Sequence, residues 1–232
     1  MYKKVSIIIP AFNEEKTINA LLKKVYNIRL LKNIQKEIIV VDDGSNDQTR
    51  NILRNQALNK NLRLFLHNTN QGKGAAIKTG LKHANGDIIV IQDADLEYNP
   101  QDINKCIEPI VKEKAKVVYG SRELGKKNKN SDLLFFLGGK LVTLICNLLY
   151  GSNLTDEPTC YKCFDKKFLN SFKMESNGFE WEPEITAKIL KSGQEIKEVP
   201  INYYPRNKKD KKINYLDGIK AIWMLIKYRF KK

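Results

Sequence analysis

The sequence predicts an α/β fold in which one mainly parallel sheet is flanked by helices. Through the first 120 residues, short β-branched and apolar runs alternate with segments whose apolar residues recur at helical spacing. This alternation is the pattern of parallel strands joined by crossover helices. The 232 residues, 42% of them hydrophobic, are enough to bury one substantial core.

Each predicted strand is a short apolar run, and each predicted helix has an apolar face. The strands cover residues 5–9, 37–41, 62–66, 87–91 and 116–119. The helices between them cover residues 16–28, 46–58, 73–84 and 100–113, where apolar positions such as Leu21, Leu22 and Val25 share a face. Right-handed crossovers align the carboxyl ends of parallel strands at one edge, so we expect ligands to bind there.

The second half of the chain is predicted to contain a loop and two apolar helices. Residues 121–132 are polar and basic without periodicity, which is typical of a mobile loop. Residues 133–150 are apolar but interrupted by polar and glycine positions, which favours an interfacial or partly buried helix. Residues 215–232 have the pattern of a basic amphipathic helix. We therefore divide the chain into a domain of residues 1–212 and a C-terminal basic helix of residues 213–232.

The chain carries 41 Lys and Arg against 26 Asp and Glu, a net charge of +15, so we expect anionic partners. Residues 206–212 hold five basic residues in seven, beside the C-terminal helix. An anionic membrane surface explains this placement. A helix packed on the core with a solvated basic face explains it equally well. The sequence contains no aromatic RNA-binding motif or zinc finger, and we expect no nucleic-acid partner.

No apolar run reaches the roughly 20 residues that a membrane span requires, and the polar amino terminus leads into a strand rather than a signal peptide. We therefore expect a cytoplasmic location. The four cysteines do not indicate a disulfide framework in a Lys-rich chain of this length. Cys160 and Cys163 lack a second pair of ligands nearby in sequence, which disfavours a zinc site.

Three carboxylates, Asp93, Asp95 and Glu97, follow the fourth predicted strand at alternate positions. Residues two apart in an extended segment point to the same side, so these would repel one another unless a cation such as Mg²⁺ or Mn²⁺ neutralised them. A solvated acidic turn is the alternative for such a motif in isolation. Polar loops at residues 10–14 and 42–47 are expected at the same edge, which favours a site for a metal and a phosphate.

Six short motifs, in their order and spacing, resemble the inverting glycosyltransferases of family 2 that have a GT-A fold. They lie at residues 10–15, 41–49, 92–97, 120–122, 155–156 and 198–200. Within that family the chain looks like the dolichol-phosphate and polyprenol-phosphate hexosyltransferases, and the resemblance covers nearly the whole chain. It implies metal-assisted transfer of a hexose from a UDP- or GDP-linked donor to a polyprenol phosphate at the cytoplasmic face of a membrane.

The resemblance also implies roles for residues at the sheet edge. Phe12 would flank the base of the nucleotide, and Asp43 would accept a hydrogen bond from a base N–H. Relatives often carry Gln where this chain has Glu97, which adds negative charge to the metal set. The implied metal ligands are Asp93, Asp95 and Glu97. The implied nucleotide-sugar residues are Pro10, Phe12, Glu14, Val41, Asp43, Lys73, Asp93 and Ala94.

An ionised lipid phosphate would attack the anomeric carbon without a strong general base, so cations must hold it. Arg122 is the leading candidate because a guanidinium can bind a phosphate through two parallel hydrogen bonds. Ser131, Lys140 and Arg206 are the other candidate phosphate contacts. A sugar hydroxyl would instead need a base, and Asp156 stands where family members have a carboxylate. The implied catalytic residues are therefore Asp95, Arg122 and Asp156.

Two other classes of function stay open on the sequence. A transferase that extends a lipid-linked or polysaccharide glycan would use Asp156 as its base. A non-catalytic basic scaffold that binds membranes or nucleic acid is the more distant alternative, and the intact carboxylates argue against it. The sequence predicts no particular oligomeric state.

Overall fold

One seven-stranded sheet forms the centre of the molecule in the computed structural model, which describes residues 2–31, 34–125, 133–206 and 212–231. The strands are β1 (Lys4–Ala11), β2 (Gln35–Asp42), β3 (Leu62–Leu66), β4 (Ile88–Ile91), β5 (Val117–Ser121), β6 (Lys162–Asp165) and β7 (Lys197–Pro200). Their order in the sheet is β3-β2-β1-β4-β6-β5-β7. Neighbouring strands are parallel except where β6 pairs antiparallel with β4 and β5.

Eight α-helices are present in the described part of the chain. They are α1 (Ile18–Asn27), α2 (Thr49–Asn59), α3 (Lys73–His83), α4 (Ile103–Val111), α5 (Leu133–Tyr150), α6 (Lys166–Leu169), α7 (Trp181–Lys191) and α8 (Tyr215–Phe230). The five strands and four helices predicted for the first 120 residues are all present, and the α/β fold is confirmed. The sequence did not predict β6, because its four residues give neither an apolar run nor an alternation.

Both faces of the sheet are buried. Ile7 and Val40 point to one face, where α1 and α4 cover them, and Ile8 and Ile39 point to the other, where α3 and α7 cover them. All four side chains are fully buried. Because neighbouring residues of a strand face opposite sides, a sheet covered on both sides requires the continuous apolar runs that the sequence shows.

The carboxyl ends of β1, β2 and β4 lie side by side and form the edge that carries the site. Ala11 pairs with Asp42, and Gln92 donates its backbone N–H to the carbonyl of Ile8 at 2.9 Å. The loops that leave these three strands therefore start next to one another. These loops carry the carboxylates that the sequence predicted at a ligand site.

Helices α5 and α8 pack side by side and leave apolar side chains exposed. Tyr150 on α5 donates its hydroxyl to the carbonyl of Leu225 on α8 at 2.7 Å. By length and composition α5 could cross a membrane, with 18 residues and a mean hydropathy of 1.8, whereas the sequence favoured an interfacial or partly buried helix here. Its outward residues include Leu133, Leu137, Leu141, Leu144 and Leu148, and those of α8 include Tyr215, Ile219, Trp223 and Phe230.

Candidate active site

Asp95 and Glu97 follow β4 and meet Arg206, which comes from the segment after β7. Arg206 Nη2 donates to Asp95 Oδ2 at 2.7 Å, and its Nη1 donates to Glu14 Oε1 at 3.0 Å. The backbone N–H of Arg206 donates to Glu97 Oε1 at 2.8 Å. Acids from the loops after β1 and β4 therefore surround one guanidinium. We call Glu14, Asp95 and Glu97 the acidic cluster.

The acidic cluster carries more negative charge than Arg206 neutralises. Burial and the neighbouring charges of Asp93 and Glu97 raise the pKa of Asp95 to about 7, although Arg206 acts in the opposite direction. An added cation would relieve this repulsion, and hard carboxylate oxygens are the ligands that Mg²⁺ and Mn²⁺ prefer. The donor set therefore fits a divalent cation, which would take the place that the guanidinium has here.

Asp93, the third implied metal ligand, points to a different partner. Lys73 Nζ lies 2.8 Å from Asp93 Oδ1 and 2.9 Å from Glu182 Oε1. Within the described residues, no group of three or more His, Cys, Asp or Glu side chains is arranged to hold a metal ion. The three implied ligands are thus divided between Arg206 and Lys73, and a cation could join Asp95 and Glu97 only if Arg206 moved away.

The loop after β1 is covered by Lys212. Lys212 Nζ donates to Glu14 Oε1 at 2.6 Å and to the carbonyl oxygen of Phe12, and it lies 5.7 Å from the centroid of the Phe12 ring. Pro10 pairs with Val41 at the ends of β1 and β2. Val41 is fully buried in the core, as Ala94 nearly is, so these two can offer a ligand little besides backbone atoms.

Asp43 anchors the loop that leads into α3. Its carboxylate accepts backbone N–H groups from Gln71 at 3.0 Å and Gly72 at 2.8 Å, and it lies 2.7 Å from His67 Nδ1. Gly72 has φ 99°, and a Cβ there would lie 2.4 Å from the carbonyl oxygen of Asn177. Only glycine fits that conformation and space. The structure therefore gives Asp43 internal partners at both oxygens, where the resemblance implied a contact with the base.

Arg122 and Asp156 form a two-point ion pair at the end of β5. Arg122 Nε donates to Asp156 Oδ2 at 2.8 Å and Nη2 donates to Oδ1 at 2.6 Å. Glu198 on β7 accepts the backbone N–H groups of Thr155 and Asp156 and so fixes the turn. Burial alone would raise the pKa of Asp156, but Arg122 outweighs it and the pKa is lowered. Asp156 is therefore a charged group that orients Arg122.

The other candidate phosphate contacts are placed differently from one another. Lys140 Nζ lies 2.7 Å from the carboxylate of Glu123, next in sequence to Arg122. Ser131 belongs to residues 126–132, which lie outside the described part of the chain, as do residues 207–211. Arg206, expected at the acceptor phosphate, contacts the acidic cluster instead.

Tyr203 joins the acidic cluster to the Arg122 pair. Its ring centroid lies 5.3 Å from Arg122 Cζ, and its hydroxyl donates to Glu97 Oε2 at 3.3 Å. The sequence indicated no role for Tyr203, Glu182 or His67, because each joins the site through a contact distant in sequence. Glu198 belongs to the motif at residues 198–200, one of the six that carried the family resemblance, and this motif was the only indication in the sequence that Glu198 belongs to the site.

This sheet, with its acidic strand-end loops at one edge, has the architecture of the GT-A fold. The family model described as Glycosyl transferase family 2 matches residues 6–172, and the chain belongs to that family. The family predicted from the six motifs is therefore confirmed, and the protein is an enzyme.

Two curated relatives and one solved structure illustrate the similarity. The chain is 32% identical to UDP-N-acetylglucosamine--dolichyl-phosphate N-acetylglucosaminyltransferase of Methanococcus voltae, over 99% of this chain and 98% of that protein. It is 31% identical to dolichyl-phosphate beta-glucosyltransferase ALG5A of Trichomonas vaginalis, over 86% of this chain and 65% of that longer protein. The crystal structure of glucosyl-3-phosphoglycerate synthase from Mycobacterium tuberculosis with Mn²⁺, UDP and phosphoglyceric acid has the same fold. The superposition covers 98% of this chain and 79% of the synthase chain, with a TM-score of 0.75 and 19% sequence identity.

Proposed function

We propose that this glycosyltransferase moves a hexose from a nucleotide sugar to a polyprenol phosphate, with inversion at the anomeric carbon. The observation that carries the acceptor class is the ion pair of Arg122 and Asp156. Both oxygens of Asp156 are bound to Arg122 and its pKa is lowered, so it is poorly suited to take a proton from a hydroxyl. A phosphate monoester, with its second pKa near 6, is largely ionised at neutral pH and needs a cation rather than a base.

The relatives support the same acceptor class. The two curated relatives described above are named as transferases acting on dolichyl phosphate, one with N-acetylglucosamine and one with glucose. Since the sugars differ between them, the names support the lipid phosphate as acceptor and leave the hexose to experiment.

The acidic cluster is the proposed site of the donor's diphosphate. Mg²⁺ or Mn²⁺ held by Asp95 and Glu97 would stabilise the charge on the departing nucleoside diphosphate. Arg206, once released from these carboxylates, would be free to bind phosphate oxygens held in the same place. The loop of Pro10, Phe12 and Glu14, with the end of β2, is the proposed site of the nucleoside.

Two cations beside α5 are the proposed site of the acceptor phosphate. Asp156 holds the Arg122 guanidinium in a fixed orientation, and Glu123, next in sequence to Arg122, forms an ion pair with Lys140. Attack in line with the departing group requires the phosphate oxygen to reach the anomeric carbon from the side opposite the diphosphate. The Arg122 pair and the acidic cluster, on two sides of Tyr203, suit this arrangement.

The apolar faces of α5 and α8 support peripheral attachment at the cytoplasmic face of a membrane. Leu144 on α5 and Trp223 on α8 are more than half exposed. Lysines and arginines accompany these apolar residues on α8, and such a combination binds anionic lipid surfaces. A polyprenol chain that stays in the bilayer could then present its phosphate to Arg122.

The test is a panel of nucleotide sugars with Mn²⁺ and a short-chain polyprenol phosphate, in which released nucleoside diphosphate and glycolipid are both measured. We expect turnover that depends on the lipid phosphate and is lost in Asp95→Ala. Donor binding without transfer to the lipid would contradict the proposed acceptor and favour a glycan acceptor, with Asp156 as base.

A further inference from the structure

Tyr203 contacts residues at both ends of the proposed site. Its hydroxyl donates to Glu97 Oε2 at 3.3 Å, and its ring centroid lies 5.3 Å from the Cζ atom of Arg122. The residue is nearly buried, with 7% of its surface exposed. One tyrosine therefore touches a proposed ligand of the divalent cation and the proposed anchor of the acceptor phosphate.

Packing holds the Tyr203 ring in this place. Its backbone forms an antiparallel bridge with Tyr98, and the next residue, Tyr204, donates its N–H to the carbonyl of Glu97 at 2.8 Å. The Tyr203 ring packs on the Tyr98 ring with centroids 5.5 Å apart, and the Tyr98 ring stacks on Tyr161 at 5.4 Å. Tyr98 and Tyr161 are both buried. The ring is therefore a fixed platform, while the hydroxyl proton can rotate about the C–O bond and change its partner.

The hydroxyl has one proton to donate, and the proposed reaction brings two anions to it. Glu97 accepts that proton in the structure. A phosphate that is held by Arg122 and attacks toward the acidic cluster would present its oxygens between these groups, where Tyr203 lies. A charged acceptor makes a stronger hydrogen bond than a neutral one, so a carboxylate whose charge a cation has neutralised is the weaker competitor. A cation at Glu97 therefore favours transfer of the hydrogen bond to the phosphate.

We propose that the Tyr203 hydroxyl moves its hydrogen bond from Glu97 to the acceptor phosphate when a divalent cation and a nucleotide occupy the acidic cluster. The lipid phosphate then binds more tightly after the donor than before it, so one side chain couples the two substrate sites. This inference rests on the proposed function, since it assumes a phosphate acceptor at Arg122. It adds to that function an order of binding and the residue that sets the order.

The test measures how the lipid phosphate and the nucleotide affect each other's binding, without a sugar and therefore without reaction. The full chain is titrated calorimetrically with a short-chain polyprenol phosphate, first in EDTA and then with Mn²⁺ and saturating UDP or GDP. A titration without protein corrects for Mn²⁺ that associates with the lipid. We expect the lipid phosphate to bind about tenfold more tightly with Mn²⁺ and the nucleotide, as expected for one charge-assisted hydrogen bond. The lipid should strengthen binding of the nucleotide by the same factor.

Two matched variants assign this gain to the hydroxyl. Tyr203→Phe keeps a ring on Arg122 and removes the hydroxyl. It should leave the affinity for the lipid phosphate in EDTA unchanged and lose the gain from Mn²⁺ and the nucleotide. Tyr204→Phe makes the same substitution at the neighbouring residue, which is 59% exposed, and should retain the gain.

A second pair of variants tests the same exchange without metal, and it stays informative if Tyr203→Phe does not fold. In EDTA, Glu97→Gln should bind the lipid phosphate more tightly than the unaltered chain, because a neutral amide competes less well for the Tyr203 hydroxyl. Asp95→Asn removes an equal charge from the acidic cluster but leaves Glu97 in place, so its gain should be smaller.

The outcomes separate this inference from the proposed function. The inference alone would be overturned by an unaltered chain that shows no gain, by a gain that Tyr203→Phe retains, or by equal gains in Glu97→Gln and Asp95→Asn. If the lipid phosphate bound the unaltered chain neither in EDTA nor with Mn²⁺ and a nucleotide, the proposed acceptor and the inference would both be overturned.

Discussion

Replacing Arg206 by glutamine should strengthen the binding of Mn²⁺ in the absence of nucleotide. Arg206 occupies the acidic cluster with direct bonds of 2.7 Å to Asp95 and 3.0 Å to Glu14, and its side chain is 20% exposed. A divalent cation that binds Asp95 must first displace Arg206 from the Asp95 carboxylate. The Arg206→Gln variant removes this competition.

The magnitude follows from the one bond that the metal has to displace. A hydrogen bond to a charged group contributes about 1.5 to 3 kcal/mol. Removing that competition should therefore tighten Mn²⁺ binding by about 10- to 150-fold, since 1.4 kcal/mol corresponds to a factor of ten. The concentration of free Mn²⁺ during a titration, measured by electron paramagnetic resonance, reports this affinity without catalysis.

Lys212→Gln is the matched control for charge. It removes the same positive charge from the other side of Glu14, where Lys212 lies at 2.6 Å, and Lys212 makes no ion pair with Asp95 within the described residues. We expect a smaller effect on Mn²⁺ affinity. The reasoning would be refuted if Arg206→Gln bound Mn²⁺ no more tightly than the unaltered chain, or if both variants gained equally.

Three further predictions concern the acceptor, the core and the membrane. Asp156→Asn should raise the KM for the lipid phosphate about tenfold, because Arg122 loses its orienting partner; a fall in kcat by a thousandfold or more would instead identify a base. Burial raises the pKa of Glu157, whose oxygens have no hydrogen-bond partner among the described residues, so its folded form is increasingly disfavoured as pH rises above its ordinary 4.5. In denaturant unfolding at pH 7, Glu157→Gln should therefore be more stable than the unaltered chain by about 1 kcal/mol, and the gain should be smaller at lower pH. The absence of any gain at pH 7 would argue against a buried charge. Leu144→Glu should weaken flotation with anionic liposomes, and Leu58→Glu, at an exposed leucine on α2, should not. Equal effects of the two substitutions would argue against contact between α5 and the membrane.

The first five strands and their helices were predictable because each carries its own local pattern. Ile7, Ile8 and Ile9 lie in a continuous apolar run because both faces of the sheet are covered. The sequence could not show that β6 enters between β4 and β5. That arrangement depends on pairing between Val90 and Cys163, which are distant in the chain.

The site was predictable as a set of strand-end loops, and its pairings were not. Asp93, Asp95 and Glu97 alternate in sequence and were expected to share one cation, yet Asp93 bonds to Lys73 while Asp95 bonds to Arg206. Which cation meets which acid depends on where the segment after β7 crosses the edge, and no local pattern encodes that. The ion pair between Asp156 and Arg122 is likewise a pairing that the sequence did not show.

The central claim is that this chain transfers a hexose to a lipid phosphate that Arg122 holds. Its most direct test is the formation of glycolipid from a nucleotide sugar and a short-chain polyprenol phosphate with Mn²⁺, comparing the unaltered chain with Arg122→Lys. We predict lipid-dependent glycolipid formation by the unaltered chain. The variant should show a raised KM for the lipid, because lysine lacks the two-point geometry, and an unchanged affinity for the donor. Release of nucleoside diphosphate at the same rate with and without the lipid, and no glycolipid, would contradict the account.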